Sequence, residues 1–170
     1  MIYQIVVPQF TKMLGNLTAI LDKAAAHAEA KKFDIDVLLT ARLAPDQFPL
    51  LRQIQIACDT ANLGAARLTA KEATTPTFPD TEKTLAEIKA RIESTIAILR
   101  KLNEADFAAS ATRRVSQPRW QGKTLSGEEF LIQHVLPNFY FHITTAYAIL
   151  RHNGVDVGKK DYLGDMPYQG

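Results

Sequence analysis

The chain has 170 residues, of which 46% are hydrophobic and 22% charged, with a formal net charge of +2. This balance suits one soluble domain, residues 1–170, built on a single core. It gives no basic surplus for nucleic acid or an anionic membrane, and a lone cysteine, Cys58, excludes an internal disulfide framework.

The first stretch, MIYQIVVPQFTKMLGNL, lacks the basic segment and unbroken apolar run of a signal peptide. No run approaches the roughly 18 apolar residues of a membrane span, so a cytoplasmic protein is expected. From Tyr3 to Ala30 the residues Tyr3, Val6, Phe10, Met13, Leu17, Ile20 and Ala24 recur at steps of three and four, which predicts an amphipathic helix. Pro8 falls where a missing amide costs least, so the helix is expected to begin around it.

KKFDIDVLLTARLAPD breaks the rhythm and predicts a connection with a short helical turn. Asp46 is the expected cap of a second helix, with Pro49 in its first turn. Leu51, Ile54, Cys58, Ala61, Ala65 and Leu68 form its apolar stripe. Ala57, Ala61, Gly64, Ala65 and Ala66 make it thin, so a neighbour can come close. ATTPTFPD reads as a loop. A third helix is expected after Pro79, capped by Asp80 or Thr81, with Leu85, Ile88, Ile92, Ile96, Leu99 and Leu102 on its apolar face and an end near Asn103.

Phe107 to Leu125 has no helical period and predicts a long irregular connection with room for a short hairpin. Arg113, Arg114, Arg119 and Lys123 lie here beside Trp120 with no acid among them. They would suit an acidic ligand or simply a solvated loop. The fourth helix has the clearest start: Ser126 and Glu129 match a capping box, flanked by Leu125 and Phe130 as a hydrophobic staple. Gly154 followed by Val155 is its expected left-handed stop. Four such helices with little strand signal predict an all-α fold, an up-and-down four-helix bundle.

The last helix carries the polar anomaly. His134, Asn138 and His142 follow at steps of four and therefore share a face, together with Phe130, Phe141, Thr145 and Ile149. That face is expected to look inward, and buried polar groups need partners. Pro137 removes an amide and presses on the carbonyl of Gln133, predicting a kink and a small polar pocket. The residues alone allow a satisfied core network or a site for a metal or ligand between facing helices. Elsewhere the expectations are structural. Cys58 reads as a small buried hydrophobe. Asp59 is a solvated charge or a supporting pocket residue. His27 and His152 sit at helix ends. Tyr140 and Tyr147, seven apart, would line a partner surface or the pocket mouth. No phosphate loop, catalytic-triad order or paired-cysteine zinc motif is present.

IQHVLPNFYFHITTAYAILRHNGV resembles the last helix of the DinB-like superfamily of four-helix bundles, and LPNFYFHITTAYAILRHNGV resembles the hallmark of a bacterial branch of it, a domain of unknown function. ARLAPDQFPLLRQIQIACD and GKKDYLG are similar to that branch as well. The resemblance implies a bundle that is often dimeric, with a divalent metal (zinc, nickel or manganese) held between the second and fourth helices by three histidines. Here the pair on the last helix falls on Asn138 and His142, and the second-helix position on Gln55, with Gln53 as the alternative. His134, one turn from Asn138, would be a substitute donor. One expected histidine is thus retained and two are amides. The resemblance leaves two expectations: a homodimeric module whose degenerate pocket binds a small polar molecule, or a metal-dependent enzyme of thiol transfer or amide hydrolysis.

Overall fold

A computed structural model describes residues 1–169. The expected four-helix bundle is present. Helix α1 (Phe10–Lys31) continues from a first turn, Ile2–Gln4, through a π-helical turn, Ile5–Gln9. Helix α2 spans Leu50–Thr69 and α3 Leu85–Arg100. Helix α4 (Leu136–His152) is entered from Gly127–Phe130 through a second π-helical turn, Leu131–Val135. A short α5, Lys159–Leu163, follows. Among the described residues no helix is long and apolar enough to cross a membrane.

The apolar stripes read from the sequence make the core. Val6, Phe10, Met13, Leu17, Ile20 and Ala24 of the first helix meet Ile54, Cys58, Ala61, Ala65 and Leu68 of α2 and Ile88, Ile92 and Leu99 of α3. Around the bundle the order is α1, α3, α2, α4, so α1 and α2 are diagonal. The link between them forms a 3-10 turn, Ile35–Thr40, capped by Asp34. Directions follow from side-chain partners. Gln53 lies opposite His142 and Thr60 opposite Asn138, so α2 and α4 are antiparallel. Residues 70–84 run back beside α2: Asn62 donates to the Pro76 carbonyl, Gln55 to Glu82, and Arg52 pairs with Asp80. This return leg lets α3 start beside the beginning of α2 and run parallel to it, so the bundle departs from the up-and-down order at this step.

Several boundaries differ from the sequence reading. Pro8 lies inside the first helix because the wide turn of Ile5–Gln9 makes room for its ring. Helix α2 starts after extended Pro49 with no side-chain cap, and Asp46 takes no part. Helix α3 starts three to four residues later than expected, capped by Thr84 in a capping box with Glu87, because Asp80 and Glu82 are engaged by Arg91. Helix α3 ends at Arg100, and Asn103 caps a separate 3-10 turn, Glu104–Phe107. The expected hairpin is there: β1 (Arg114–Val115) pairs antiparallel with β2 (Leu125–Ser126). Ser126 and Glu129 form their capping box. Gly154 has φ +88, and the Val155 amide donates to the Leu150 carbonyl, closing α4 as expected.

Candidate functional site

Helix α2 is narrow where it faces α4. A Cβ added at Gly64 would stand 2.9 Å from Val135 Cγ1, so the backbones approach as closely as glycine permits. From this contact toward the start of α2, polar side chains pair across the seam.

At one end His142 is buried, and its Nδ1 lies 2.6 Å from Gln53 Oε1. Gln53 Nε2 donates to the Phe48 carbonyl at 2.9 Å. The glutamine oxygen therefore accepts, Nδ1 carries the proton, and Nε2 keeps its lone pair. Burial, with the charge of Arg52 adding, pushes the His142 pKa down to about 4, so the ring is neutral at pH 7. Phe141 packs edge-on against this ring but is itself 55% exposed, contrary to its expected inward position. Its place on the helix lies at the edge of the buried sector.

Asn138 is half-buried and donates to Thr60 Oγ1 at 2.7 Å. Gln55 does not face His142. It turns to the return leg, donating to Glu82 Oε2 at 2.9 Å and accepting from Arg52 at 3.2 Å. The residue opposite His142 is Gln53, two positions earlier, because a step of two carries a side chain about 200° around a helix. His142, Asn138 and Gln55 thus lie in three separate hydrogen-bond pairs. Among the described residues no three histidine, cysteine, aspartate or glutamate side chains are grouped to hold a metal ion. As placed, these donors do not fit a shared ion.

Asp59 is held by Arg91 at 2.7 Å. The Arg91 side chain is 1% exposed and also meets Asp80 at 2.9 Å and Glu82 at 3.0 Å, with Phe78 under its guanidinium. Burial raises the Asp59 pKa against the lowering field of Arg91. Cys58 is fully buried, and burial pushes its thiol up to about 12, so it is no thiolate nucleophile.

A groove of about 340 Å³ runs along the α2–α4 seam beyond Asn138. Asp59, Thr60, Gly64 and Arg67 line it from α2, His134, Val135 and Asn138 from α4 and its π turn, and Gln117, Pro118 and Arg119 from the irregular connection. His134 is wedged between Phe130, stacked at 5.6 Å, and Trp120, edge-on at 5.8 Å. Burial lowers its pKa, and Arg119 and Arg67 lower it further. Pro137 is exposed. Its effect is the wide turn before it, in which the Leu136 amide donates to the Leu131 carbonyl five residues back. That turn places His134 and Val135 at the groove in place of the expected kink.

Arg67, Thr60 and Gln117 were not legible as site residues. Arg67 and Thr60 extend the α2 face that carries Gly64, so the helical repeat would have pointed to them once that face was known. Gln117 lies in a segment without period and gave no signal. Tyr140 and Tyr147 serve packing: Tyr140 accepts from Gln9 Nε2 at 3.0 Å, and Tyr147 meets Tyr162 edge-on.

A family model described as "Domain of unknown function (DUF1993)" matches residues 2–163. The chain belongs to this family. A crystal structure of a DinB family member protein from Shewanella denitrificans is similar to the DUF1993 chain along its whole length, with a TM-score of 0.98 and 63% identity over 100% of this chain and 96% of that one. No curated protein matches it. The DinB-like bundle expected from the last helix is therefore the fold of this DUF1993 domain.

Proposed function

We propose that this DUF1993 chain is a binding module: the groove between α2 and α4 takes a small polar molecule, and the chain works as a homodimer. The observation that carries the reading is the groove itself. It is mostly apolar in its walls, with His134 and Asn138 on one side and Thr60 on the facing side, the usual make-up of a small-molecule site. The neighbouring residues of the family's metal position are spent on one another, Asn138 on Thr60 and His142 on Gln53. For the dimer, support comes from Phe48 and Phe141, both 55% exposed on either side of the His142–Gln53 pair.

The test uses protein purified without a histidine tag. Metal content is measured first, and a fragment library is then screened by amide NMR. Sub-stoichiometric metal, with fragments that shift Thr60, His134 and Asn138, is the expected result. Stoichiometric zinc, nickel or manganese that is lost in His142→Ala would overturn it in favour of a divalent-metal-dependent enzyme of thiol transfer or amide hydrolysis. Sedimentation tests the dimer: Phe141→Asp should yield monomers, and a wild-type monomer at all concentrations would remove that part of the reading.

A further inference from the structure

The character of the groove changes along its length, and one end is strongly basic. Arg67 comes from the last turn of α2 and Arg119 from the 3-10 turn Pro118–Trp120, and both line the groove. Among the described residues neither takes part in an ion pair. This sets them apart from Arg52 and Arg91, each of which has a carboxylate partner. Arg67 is half-buried, and burial lowers its pKa; Glu72 partly opposes this, and Arg119 adds to it. Two arginines, Arg67 half-buried and Arg119 exposed, thus line one groove without a carboxylate partner of their own among the described residues.

A third group points the same way. Gln117 is 9% exposed and lines the groove, and its Nε2 is buried with no hydrogen-bond partner. A buried amide donor left unpaired costs about 1–3 kcal/mol, and such a group calls for an acceptor. His134 is clamped by Phe130 and Trp120 and brings no negative charge to this end of the groove. Phe130, Leu63, Ile56 and Val135 supply an apolar wall beside these donors. Among the described residues the one carboxylate that lines the groove, Asp59, is eight residues from Arg67 along α2, on the order of 12 Å away, and is already held by Arg91.

Resting on the reading of the groove as a binding site, we infer that its ligand is a small organic oxyanion whose carboxylate or phosphate is held by Arg67, Arg119 and Gln117, with its apolar body against Phe130 and Leu63. Guanidinium forks match the two oxygens of either group, and an amide N–H completes the set. The size of the groove, about 340 Å³, lies at the small end for ligand sites, which favours a metabolite-sized acid over a polymer. Of the four basic residues around Trp120, only Arg119 is used. Arg113 donates to the Leu68 carbonyl at 3.2 Å and holds the connection to α2.

The test titrates the full chain with four probes of one shape, benzoate, phenyl phosphate, benzyl alcohol and benzylamine, in chloride buffer of constant ionic strength. Binding is read from the His134 ring and Gln117 side-chain amide resonances. Benzoate or phenyl phosphate, or both, should saturate these shifts, and comparison of the two tells a carboxylate from a phosphate site. Arg67→Gln and Arg119→Gln should each weaken the better anion about tenfold, and the double variant should abolish binding while its circular dichroism stays that of the wild type. Gln117→Leu should weaken it less. Alcohol or amine binding as tightly as the anions, or an unaltered anion affinity in the double variant, would overturn the oxyanion inference and leave the groove reading standing. If neither these probes nor a broad fragment library shifts any groove resonance, both fail.

Discussion

A histidine whose pKa is held at about 4 behaves as an apolar residue with one hydrogen bond to give. His142 gives it to Gln53, and Gln53 passes the connection on to the Phe48 carbonyl. The sign of the pH effect follows. In the unfolded chain the ring titrates near 6.5, and in the fold near 4, so between those values the unfolded state binds more protons. Stability should be level above pH 6.5 and fall as the pH drops from 6.5 toward 4. Chemical denaturation at a series of pH values measures this, and the His142 ring signals should stay those of a neutral imidazole at pH 5.5. A ring that titrates near 6.5 in the folded protein would contradict the burial argument. The same pair predicts that Gln53→Leu, which strands the Nδ1 proton, costs about 1–3 kcal/mol in urea unfolding.

At the level of elements, the two proline-bearing helices solve one problem in one way. Pro8 and Pro137 each stand at or next to a π-helical turn, and in each helix a phenylalanine follows two residues later. Those rings, Phe10 and Phe139, stack at 4.2 Å in the core. Pro137→Ala restores an amide and removes the ring clash, so the fold should persist while the turn Leu131–Val135 tightens and moves His134. A crystal structure with the groove unchanged would refute that role. Gly64 makes a sharper test. Gly64→Ala drives a methyl group to within 2.9 Å of Val135 Cγ1, and overpacking of this kind costs about 1–3 kcal/mol. Adding Val135→Ala should recover part of the loss, a non-additivity visible in a double-mutant cycle of unfolding free energies. The helix faces were legible because burial follows the helical repeat. The seam between them was legible only in part: the steps of four picked out His134, Asn138 and His142, but the choice between Gln53 and Gln55 depends on the rotation of α2 about its own axis. Nothing within α2 fixes that rotation until α4 and the return leg are both in place.

For the whole molecule, the least legible feature is that return leg. ATTPTFPD reads as a loop because of its prolines, and a loop of this composition carries no sign of where it goes. Its path is set by Arg91, a residue outside the apolar stripe read for α3. The Arg91 side chain is 1% exposed and meets Asp59 of α2 as well as Asp80 and Glu82 of the leg, while Gln55 and Arg52 hold the same two acids from α2. One buried cation thus ties together two parallel helices and the chain that makes them parallel. Removing it should leave three carboxylates facing one another without their shared counter-charge. For a buried ion pair with one partner removed the loss is about 3–5 kcal/mol. Asp80 and Asp59 keep partial access to water, so Arg91→Met should fall near 3 kcal/mol. The measurement is urea unfolding combined with hydrogen exchange. Exchange should quicken in 76–84 and at the first turn of α3, while α1 and α4 stay protected. Lowering the pH toward 4 should narrow the gap between the variant and the wild type at the same pH, because protonated carboxylates no longer repel. Uniform loss of protection across all four helices would show instead that Arg91 supports the core as a whole and does not specifically pin the leg.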